Sequence, residues 1–430
     1  MPNKLGPIEL APGVTRRHVL CYLFATFVTI GFFAYLVTLT PYILRVNLGL
    51  PEAEHGRVAG ELLFWQEIVG LCVISWWGAM SDRFGRRIIY IAGFVILGIG
   101  YATYAFARSE PELILFRLIF ACGLAAIAAL MAAVLADYPA EQSRGKLTGV
   151  AFFLNGMGSV IFFVGMTQLP EIYSSRGATE LWAGRFSFLT VAGLAFFAAV
   201  VMLGLKPGRP TAASGKTPVL KLMAEGLRAA RNPRIAVSYM GSMAARADMA
   251  IITLFLTLWI VNAGVEAGAT TAEATGRAGM IIGIAQIAAV IWAPIFGYFA
   301  DRIDRVLLVI IGFAIAATGY GAVALQTDIL STAALPAMIC LGMGQSSAIL
   351  AATVLLGQEA PADIRGSVFG TQSFFGAVGI LILSIAGGRL YDGIGPHAPF
   401  YAVAAANSLV LLAGLYVRAA EARAASKHSS

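Results

Sequence analysis

Long apolar runs separated by short polar loops occupy the chain from about residue 18 to residue 418. Each run is long enough for an α-helix to cross about 30 Å of hydrocarbon, which takes roughly 20 residues. A membrane β-barrel would instead show short segments of alternating apolar and polar residues. The pattern therefore predicts an all-α integral membrane protein with twelve transmembrane helices, which we number spans 1 to 12. The runs cover residues 18–46, 58–80, 88–107, 112–137, 146–169, 185–205, 234–262, 278–300, 306–326, 332–358, 366–388 and 397–418.

The composition agrees with a membrane protein. Of the 430 residues 59% are apolar and only 12% are charged, whereas about a quarter of a soluble domain is charged. The net charge of +7 does not indicate a nucleic-acid partner, because membrane proteins collect Lys and Arg in their cytoplasmic loops. The four cysteines and four histidines show no metal-ligand spacing, and no catalytic or nucleotide-binding motif occurs. We expect no metal, no cofactor and no enzymatic activity.

The distribution of basic residues predicts the orientation. With the N-terminus inside, the two termini and the loops after spans 2, 4, 6, 8 and 10 contain 21 of the 30 Lys and Arg residues. The opposite loops contain seven, and Arg117 and Arg246 lie within spans. Basic residues accumulate on the cytoplasmic side, so both termini are expected in the cytoplasm. The N-terminal segment lacks a signal-peptide cleavage pattern, and we expect a multi-pass protein of the cytoplasmic membrane.

One long polar stretch, residues 206–233, divides the chain into two halves of six spans. Its first part contains Gly and Pro, as flexible linkers do. Its second part has an apolar stripe opposite basic residues, which predicts a short amphipathic helix on the inner membrane face. The predicted organisation is listed from the N-terminus: a cytoplasmic tail 1–17, a six-helix bundle 18–205, the linker 206–233, a second bundle 234–418 and a tail 419–430.

The two halves repeat two motifs at nearly the same separation in sequence. Gly78, Asp82, Arg83 and Arg86 correspond to Gly297, Asp301, Arg302 and Arg305 at one constant offset. Arg144, Gly145 and Gly158 correspond to Arg365, Gly366 and Gly379 at a constant offset that is almost the same. Both motifs occupy equivalent loops, after the second and the fourth span of each half. The chain is therefore predicted to be a duplicated six-helix unit.

The pattern G-x-x-x-D-R-x-G-R-R at residues 78–87 resembles the signature loop of the major facilitator superfamily, as do its weaker second copy and the Arg-Gly loops. The resemblance covers essentially the whole chain. It implies two pseudosymmetric six-helix bundles, each of which is an inverted repeat of three plus three helices. The resemblance implies that these bundles would alternately open one central site to each side of the membrane.

The resemblance also implies gate residues. Asp82, Arg83 and Arg86 would hold span 2 to span 11 and keep the cytoplasmic side closed. Small residues permit close helix packing in membranes, so Gly78 is expected at such a contact, and Asp82 is expected to face a helix N-terminus. The counterpart between spans 8 and 5 would use Gly297, Asp301, Arg302 and Arg305, weakened because Asp304 replaces a glycine; Arg144 and Arg365 belong to the second gate motif. Alternatively, these charges only set the topology.

Four charged residues lie well inside the predicted spans. Glu67 lies ten residues past Arg57 and Arg246 lies twelve past Arg234, which places them about 15 and 18 Å into the helix. Asp248 follows two residues later, and Arg117 lies about 9 Å from the outer face. A charge at this depth costs at least about 2.5–3.5 kcal/mol, so each needs a partner or a water-filled cavity. Arg246 and Asp248 point to opposite helix faces and cannot neutralise each other.

The resemblance places Arg117 on span 4 and Arg246 on span 7, which line the central cavity in the family. Arg117 also matches an arginine found in many proton-coupled members. We hypothesise that Glu67 or Asp248 exchanges the coupling proton, and that Arg117 or Arg246 modulates it or binds an anionic group. The alternative is a set of static buried ion pairs. Asn155 and Gln345 could contact the substrate or join helices by hydrogen bonds.

Together these features predict a proton-coupled secondary transporter that moves a small organic solute as a monomer in the lipid bilayer, with a slight preference for organic anions. Drug efflux by proton antiport is an alternative. It is weakened because span 5, GVAFFLNGMGSVIFFVG, lacks the Gly-Pro motif of drug–proton antiporters in the family. An alternative of another class is a membrane sensor or assembly factor that kept the fold without transport.

Overall fold

The computed structural model describes residues 4–208, 219–300, 302–361 and 364–428. Within these residues, twelve helices are long and apolar enough to cross a membrane, as the hydrophobic pattern predicts. The chain is a multi-pass membrane protein. Spans 1 to 12 are Arg16–Asn47, Glu52–Phe84, Arg86–Tyr104, Glu110–Asp137, Glu141–Ser175, Glu180–Gly204, Pro233–Glu266, Thr271–Ala300, Arg305–Ala324, Thr332–Glu359, Arg365–Gly393 and Ala398–Ala424.

Spans 1 and 7 each contain a π-helical turn. The turns are Ile43–Asn47 in span 1 and Ile252–Leu256 in span 7. A π-helical turn is rare and often lies near a functional site, because it shifts the helix register by one residue. The turn in span 7 begins four residues after Asp248.

The chain forms two compact units. The first contains Met1–Ser214 and Gly264–Met280, and the second contains Gly215–Ala263 and Ile281–Ser430. The start of span 8 belongs to the first unit because it packs there: the Gln168 side chain donates to the Gly276 carbonyl at 2.9 Å. The backbone N–H of Thr271 donates to the Glu180 carboxylate at 3.1 Å. At this segment, the boundary between the two compact units therefore differs from the boundary between the two six-span halves of the sequence.

Glycines bring the same pairs of helices together in both units. A Cβ on Gly100 of span 3 would lie 2.8 Å from the Cα of Phe120 in span 4. A Cβ on Gly319 of span 9 would lie 2.8 Å from the Cα of Leu341 in span 10. The two glycines, like the two residues they contact, are related by the offsets of the repeated motifs. Close backbone approach at small residues drives helix packing in membranes, and its repetition confirms the pseudosymmetric six-helix bundles.

The segment before span 1 contains a short β-hairpin. Strand β1, Lys4–Leu5, pairs antiparallel with strand β2, Ile8–Glu9. The hairpin binds the loop between spans 4 and 5, where the Glu9 N–H donates to the Ser143 hydroxyl at 3.0 Å and the Ala140 N–H donates to the Glu9 carbonyl at 2.9 Å. Sequence analysis predicted only a polar tail here, because two-residue strands carry too little pattern to be recognised.

A short helix, Val219–Ala229, precedes span 7; residues 209–218 of the predicted linker lie outside the described residues. The helix packs on span 11 through Gly226, where a Cβ would lie 2.7 Å from the Ser367 carbonyl oxygen. The Tyr239 hydroxyl donates to the Gly226 carbonyl at 2.9 Å. The helix is thus attached to the second unit at the beginning of spans 7 and 11.

Candidate functional site

Arg86 organises the signature loop. Its Nη1 lies 2.6 Å from Asp82 Oδ1, and its Nε lies 3.0 Å from Asp137 Oδ2 at the end of span 4. Nη1 also donates to the Ser81 hydroxyl. One arginine therefore connects the ends of spans 2 and 4 at the start of span 3. Sequence analysis did not identify Asp137. The sequence feature that could have indicated it is an acidic residue at the end of an otherwise apolar span.

The two copies of the signature loop make the same turn by different means. Gly85 adopts φ +98°, a conformation that other L-residues rarely take. Its counterpart Asp304 has φ −56°, and its Oδ1 accepts hydrogen bonds from the Val306 and Leu307 N–H groups at 3.0 Å each. Asp304 is therefore the N-cap of span 9. The replacement of glycine by aspartate keeps the turn and stabilises the helix that follows.

The prediction of a close helix contact at Gly78 is wrong for this structure. A Cβ on Gly78, or on its counterpart Gly297, would meet no atom within 4 Å. The close contacts between spans are instead made at other glycines, such as Gly100 and Gly123, where a neighbouring backbone lies against the Cα. Likewise Asp82, expected to face a helix N-terminus, forms its ion pair with the Arg86 side chain.

The remaining gate candidates have separate surroundings. Arg83 is exposed beside Phe84, with its Cζ 5.4 Å from the ring centroid. The guanidinium of Arg302 stacks on Tyr298, with its Cζ 3.5 Å from the ring centroid. Arg144 pairs with Glu141 at 2.8 Å. Three further candidates complete the set: Arg305 is partly buried, Arg365 is exposed, and Asp301 lies outside the described residues.

Arg117 is buried within the first unit, with 1% of its surface exposed. Its Cζ lies 6.0 Å from the ring centroid of Tyr104 and 5.8 Å from that of Phe120. Its Nε and Nη1 have no hydrogen-bond partner among the described residues, and no described carboxylate forms an ion pair with it. Cation–π contacts of about 2 kcal/mol in a desolvated site offset only part of the several kcal/mol that burying a charge costs.

Asp248 is completely buried within the second unit. Both of its carboxylate oxygens accept hydrogen bonds from the side-chain nitrogen of Asn407 in span 12, at 3.0 and 3.2 Å. Tyr320 in span 9 is also completely buried. The group that bonds the Asp248 carboxylate is therefore a neutral amide and not a basic side chain. Sequence analysis did not identify Asn407 because nothing in the sequence relates the two residues.

Arg246 lies on the opposite face of span 7, as the helical spacing predicts. It is exposed, and its Cδ occupies the space that a side chain on Gly376 of span 11 would take. Neither residue of the Arg246–Asp248 pair is neutralised by the other. The side chain of Arg246 therefore depends on the absence of a Cβ at Gly376 for its position.

The three other polar candidates belong to two units. Glu67 and Asn155 are partly buried in the first unit. Gln345 is buried in the second unit, and its Oε1 accepts a hydrogen bond from Gln286 Nε2 at 3.4 Å. Gln286 is the counterpart of Glu67 in the repeat, at the same offset as the signature loops. The same position thus carries an acid in one half and its neutral amide analogue in the other.

The sequence model of the Major Facilitator Superfamily matches residues 21–383 and again residues 276–430. The chain belongs to the Major Facilitator Superfamily. The magnetosome protein MamH of Paramagnetospirillum magneticum is 25% identical over 416 residues, which cover 95% of this chain and 94% of MamH. The homologues of this chain are transporters of this superfamily.

Two solved structures share the fold of this superfamily member. A mutant of the nucleoside transporter NupG has a TM-score of 0.74 at 16% identity, with 93% of this chain and 99% of NupG covered. The xylose transporter XylE from E. coli has a TM-score of 0.70 at 15% identity, with 92% and 95% covered. Similarity at this level of identity establishes the twelve-helix transporter fold. It carries no information on the solute.

Proposed function

We propose that this Major Facilitator Superfamily protein is a proton-coupled secondary transporter that moves a small organic solute across the cytoplasmic membrane by alternating access. The observation that carries the proposal is the carboxylate of Asp248, which lies in span 7 without exposure to water and with a neutral amide as its hydrogen-bond donor. Both termini would lie in the cytoplasm, and the transporter would act as a monomer.

A buried carboxylate is suited to proton exchange. Taking an ionised carboxylate out of water costs several kcal/mol, and no described cation offsets that cost for Asp248. A change of conformation that admits water to span 7 would alter the balance between the charged and the neutral form. Proton binding at Asp248 and a movement of span 7 would then be linked, which is what a proton-driven transporter requires.

The signature loop supports the gating part of the proposal. Arg86 joins Asp82 and Asp137 at the ends of spans 2 and 4, and Arg144 with Glu141 forms a second pair at the start of span 5. Exposed ion pairs of this kind each contribute about 0–1 kcal/mol. They are therefore weak enough to be exchanged when the transporter changes state, and we assign the two motifs to the gate.

Arg246 supports the preference for an organic anion. Its guanidinium is exposed in the middle of a membrane span, and no ion pair to a described residue neutralises it. Arginine binds carboxylate groups through paired hydrogen bonds, so an anionic group of the solute is a suitable partner. Asn155 and Gln345 are the neutral polar groups that we assign to the remainder of the solute.

The test is transport by the purified protein in proteoliposomes that contain a pH-sensitive dye. A thermal-shift screen against organic acids, sugars and lipophilic cations first selects the solute, because a ligand that binds only the folded state raises the apparent stability. We expect the selected solute to move with protons, and Asp248→Asn to abolish proton movement. Solute movement without proton movement would overturn the coupling. Ligand binding without any transport would favour a sensor.

The same assay decides the role of Glu67. If Glu67→Gln leaves proton-driven transport undiminished, Glu67 takes no part in coupling and Asp248 remains the proton site. If Glu67→Gln abolishes coupling while Asp248→Asn does not, the assignment to Asp248 is wrong.

A further inference from the structure

The repeat allows the surroundings of Asp248 to be compared with the equivalent place in the first unit. Gly158 of span 5 contacts the backbone of Phe27 in span 1, and its counterpart Gly379 of span 11 contacts the backbone of Met243 in span 7. These contacts align Phe27 of span 1 with Met243 of span 7. Asp248 follows Met243 by five positions, as Phe32 follows Phe27. By this alignment, Asp248 is the counterpart of Phe32.

The equivalent place in the first unit is an aromatic cluster. The ring centroids of Phe32 and Tyr101 are 5.9 Å apart, and those of Tyr101 and Phe188 are 6.2 Å apart. The Tyr101 hydroxyl donates to the Phe32 carbonyl, so its polar atom is satisfied. At the three positions that correspond to Asp248, Tyr320 and Asn407, the first unit thus has two phenylalanines and one tyrosine whose hydroxyl is satisfied.

In the second unit, the aromatic cluster is replaced by a polar one. Tyr320 and Asn407 are the counterparts of Tyr101 and Phe188, at the same offset as the signature loops. Asp248, Tyr320 and Asn407 therefore stand where the first unit has two phenylalanines and a tyrosine, and all three are buried. The Tyr320 hydroxyl and the Asn407 side-chain oxygen have no hydrogen-bond partner among the described residues.

The fold does not require a carboxylate and an amide at the positions of Asp248 and Asn407, because the first unit has phenylalanines at the corresponding positions. An unsatisfied buried polar atom costs about 1–3 kcal/mol, and the cluster contains two such oxygens beside a buried carboxylate. Both free oxygens can accept a hydrogen bond, and Asp248 gains an O–H when it is protonated. The cluster therefore contains an unused hydrogen-bond acceptor that can bind the protonated form of Asp248.

We propose that Asn407 is a positioning residue that serves both protonation states of Asp248 by rotating its side-chain amide. This inference rests on the proposed function. With the carboxylate ionised, the amide nitrogen donates to both oxygens, as the 3.0 and 3.2 Å distances show. After protonation at a carboxylate oxygen, the new O–H donates to the Asn407 oxygen, which turns toward it.

The rotation links the proton to span 12. The Asn407 nitrogen also donates to the carbonyl of Val403, one turn earlier in span 12, at 3.0 Å. Turning the amide breaks this bond and leaves the Val403 carbonyl with its helical backbone hydrogen bond alone. A change in the protonation of Asp248 thereby changes the hydrogen bonding within span 12. A carboxylate that accepts hydrogen bonds from backbone N–H groups alone would have no such effect on a second helix.

The groups that face Asp248 are few. Span 12 presents Asn407, while Arg246 on span 7 points to the opposite face. Among the described residues of spans 10 and 11, no charged side chain interacts with Asp248. A change in its hydrogen bonding with pH therefore reports on Asn407.

The experiment is infrared difference spectroscopy of the purified protein across a pH titration. The carbonyl band of protonated Asp248 is identified by its loss in Asp248→Asn. We expect Asn407→Leu to move this band to higher wavenumber and to change the pH at which it appears by about one unit, as the loss of a hydrogen bond does. Asn262→Leu is the matched control, because Asn262 is also a buried amide of this unit that bonds a tyrosine, Tyr391; it should leave the band unmoved.

An unchanged band in Asn407→Leu, or an equal change in Asn262→Leu, would overturn the proposal. So would a band that responds to sodium rather than to pH, because a metal ion would then occupy the site. If Asn407→Leu does not fold, Asn407→Ser shortens the side chain and should give the same displacement. The double variant Asp248→Phe with Asn407→Phe copies the first unit and should fold without any pH-dependent band.

The outcome is separable from that of the proposed function. The coupling proposal would be refuted, and the role of Asn407 kept, if the band moves in Asn407→Leu but transport is not accompanied by proton movement. A band that Asn407 does not influence, in a protein that remains proton-driven, would refute the role of Asn407 alone.

Discussion

Gly158 of span 5 lies so close to Phe27 of span 1 that a Cβ would overlap the Phe27 carbonyl oxygen. Gly379 has the same relationship to the Met243 carbonyl in the second unit. The contact joins the first span of each half to the fifth span. Because a backbone atom is involved, no side-chain rotation can relieve an overlap there.

Alanine at either position is therefore expected to destabilise the protein by about 1–3 kcal/mol or more, the cost of overpacking. The free energy of unfolding in detergent measures the effect. Gly149→Ala and Gly370→Ala are matched controls in the same helices, since a Cβ there meets no atom within 4 Å. Equal stability of Gly158→Ala and Gly149→Ala would contradict the packing described.

The Arg86 network is expected to matter for transport more than for stability. Arg86→Gln or Asp137→Asn should change the free energy of unfolding by less than about 1 kcal/mol, because these ion pairs are partly exposed. The transport rate should fall at least about fivefold, the effect of a coupling energy near 1 kcal/mol. Arg87→Gln is the control, since Arg87 has no ion pair to a described residue. A rate that Arg86→Gln leaves unchanged would remove the network from the gate.

Gly376 is expected to position Arg246. In Gly376→Ala the new methyl group meets the flexible Cδ of Arg246 rather than backbone, so stability should fall by less than about 1 kcal/mol. The displaced guanidinium should weaken binding of an anionic solute by about tenfold, or 1.4 kcal/mol. Titration of the solute into Gly376→Ala and into the control Gly370→Ala measures this. Equal affinities would show that Arg246 does not contact the solute.

Acid is expected to release the N-terminal hairpin. The Lys4 ammonium, 2.5 Å from Glu9, and the hydrogen bond from Gln142 hold the pKa of Glu9 below its ordinary value of 4.5. A lowered pKa means that the contact is fully present above pH 4.5 and is lost as the pH falls through the pKa of the folded state. The anisotropy of a fluorophore on Pro7→Cys should drop in acid. Glu9→Gln should give a signal that no longer depends on pH in this range.

The helices could be predicted because each carries its own signal. A run of about 20 apolar residues identifies a span without reference to any other part of the chain. The duplication was visible because the members of both motifs keep constant separations, as Arg86 and Arg305 do. Gly78 shows the limit: the motif was recognised, but the close contact expected of it is made elsewhere, at glycines such as Gly100 that no motif distinguishes.

The sequence by itself determined the twelve spans, the repeat, the signature loops and the positions of the charges within the membrane. Only the tertiary structure decided which groups face those charges. Asp248 and Asn407 are 159 residues apart, and Arg86 and Asp137 are 51 apart. Hydropathy sets the depth of a residue in a span but not the direction of its side chain. That direction follows from the packing of neighbouring helices, and it gave Asp248 a neutral amide and left Arg117 among aromatic rings.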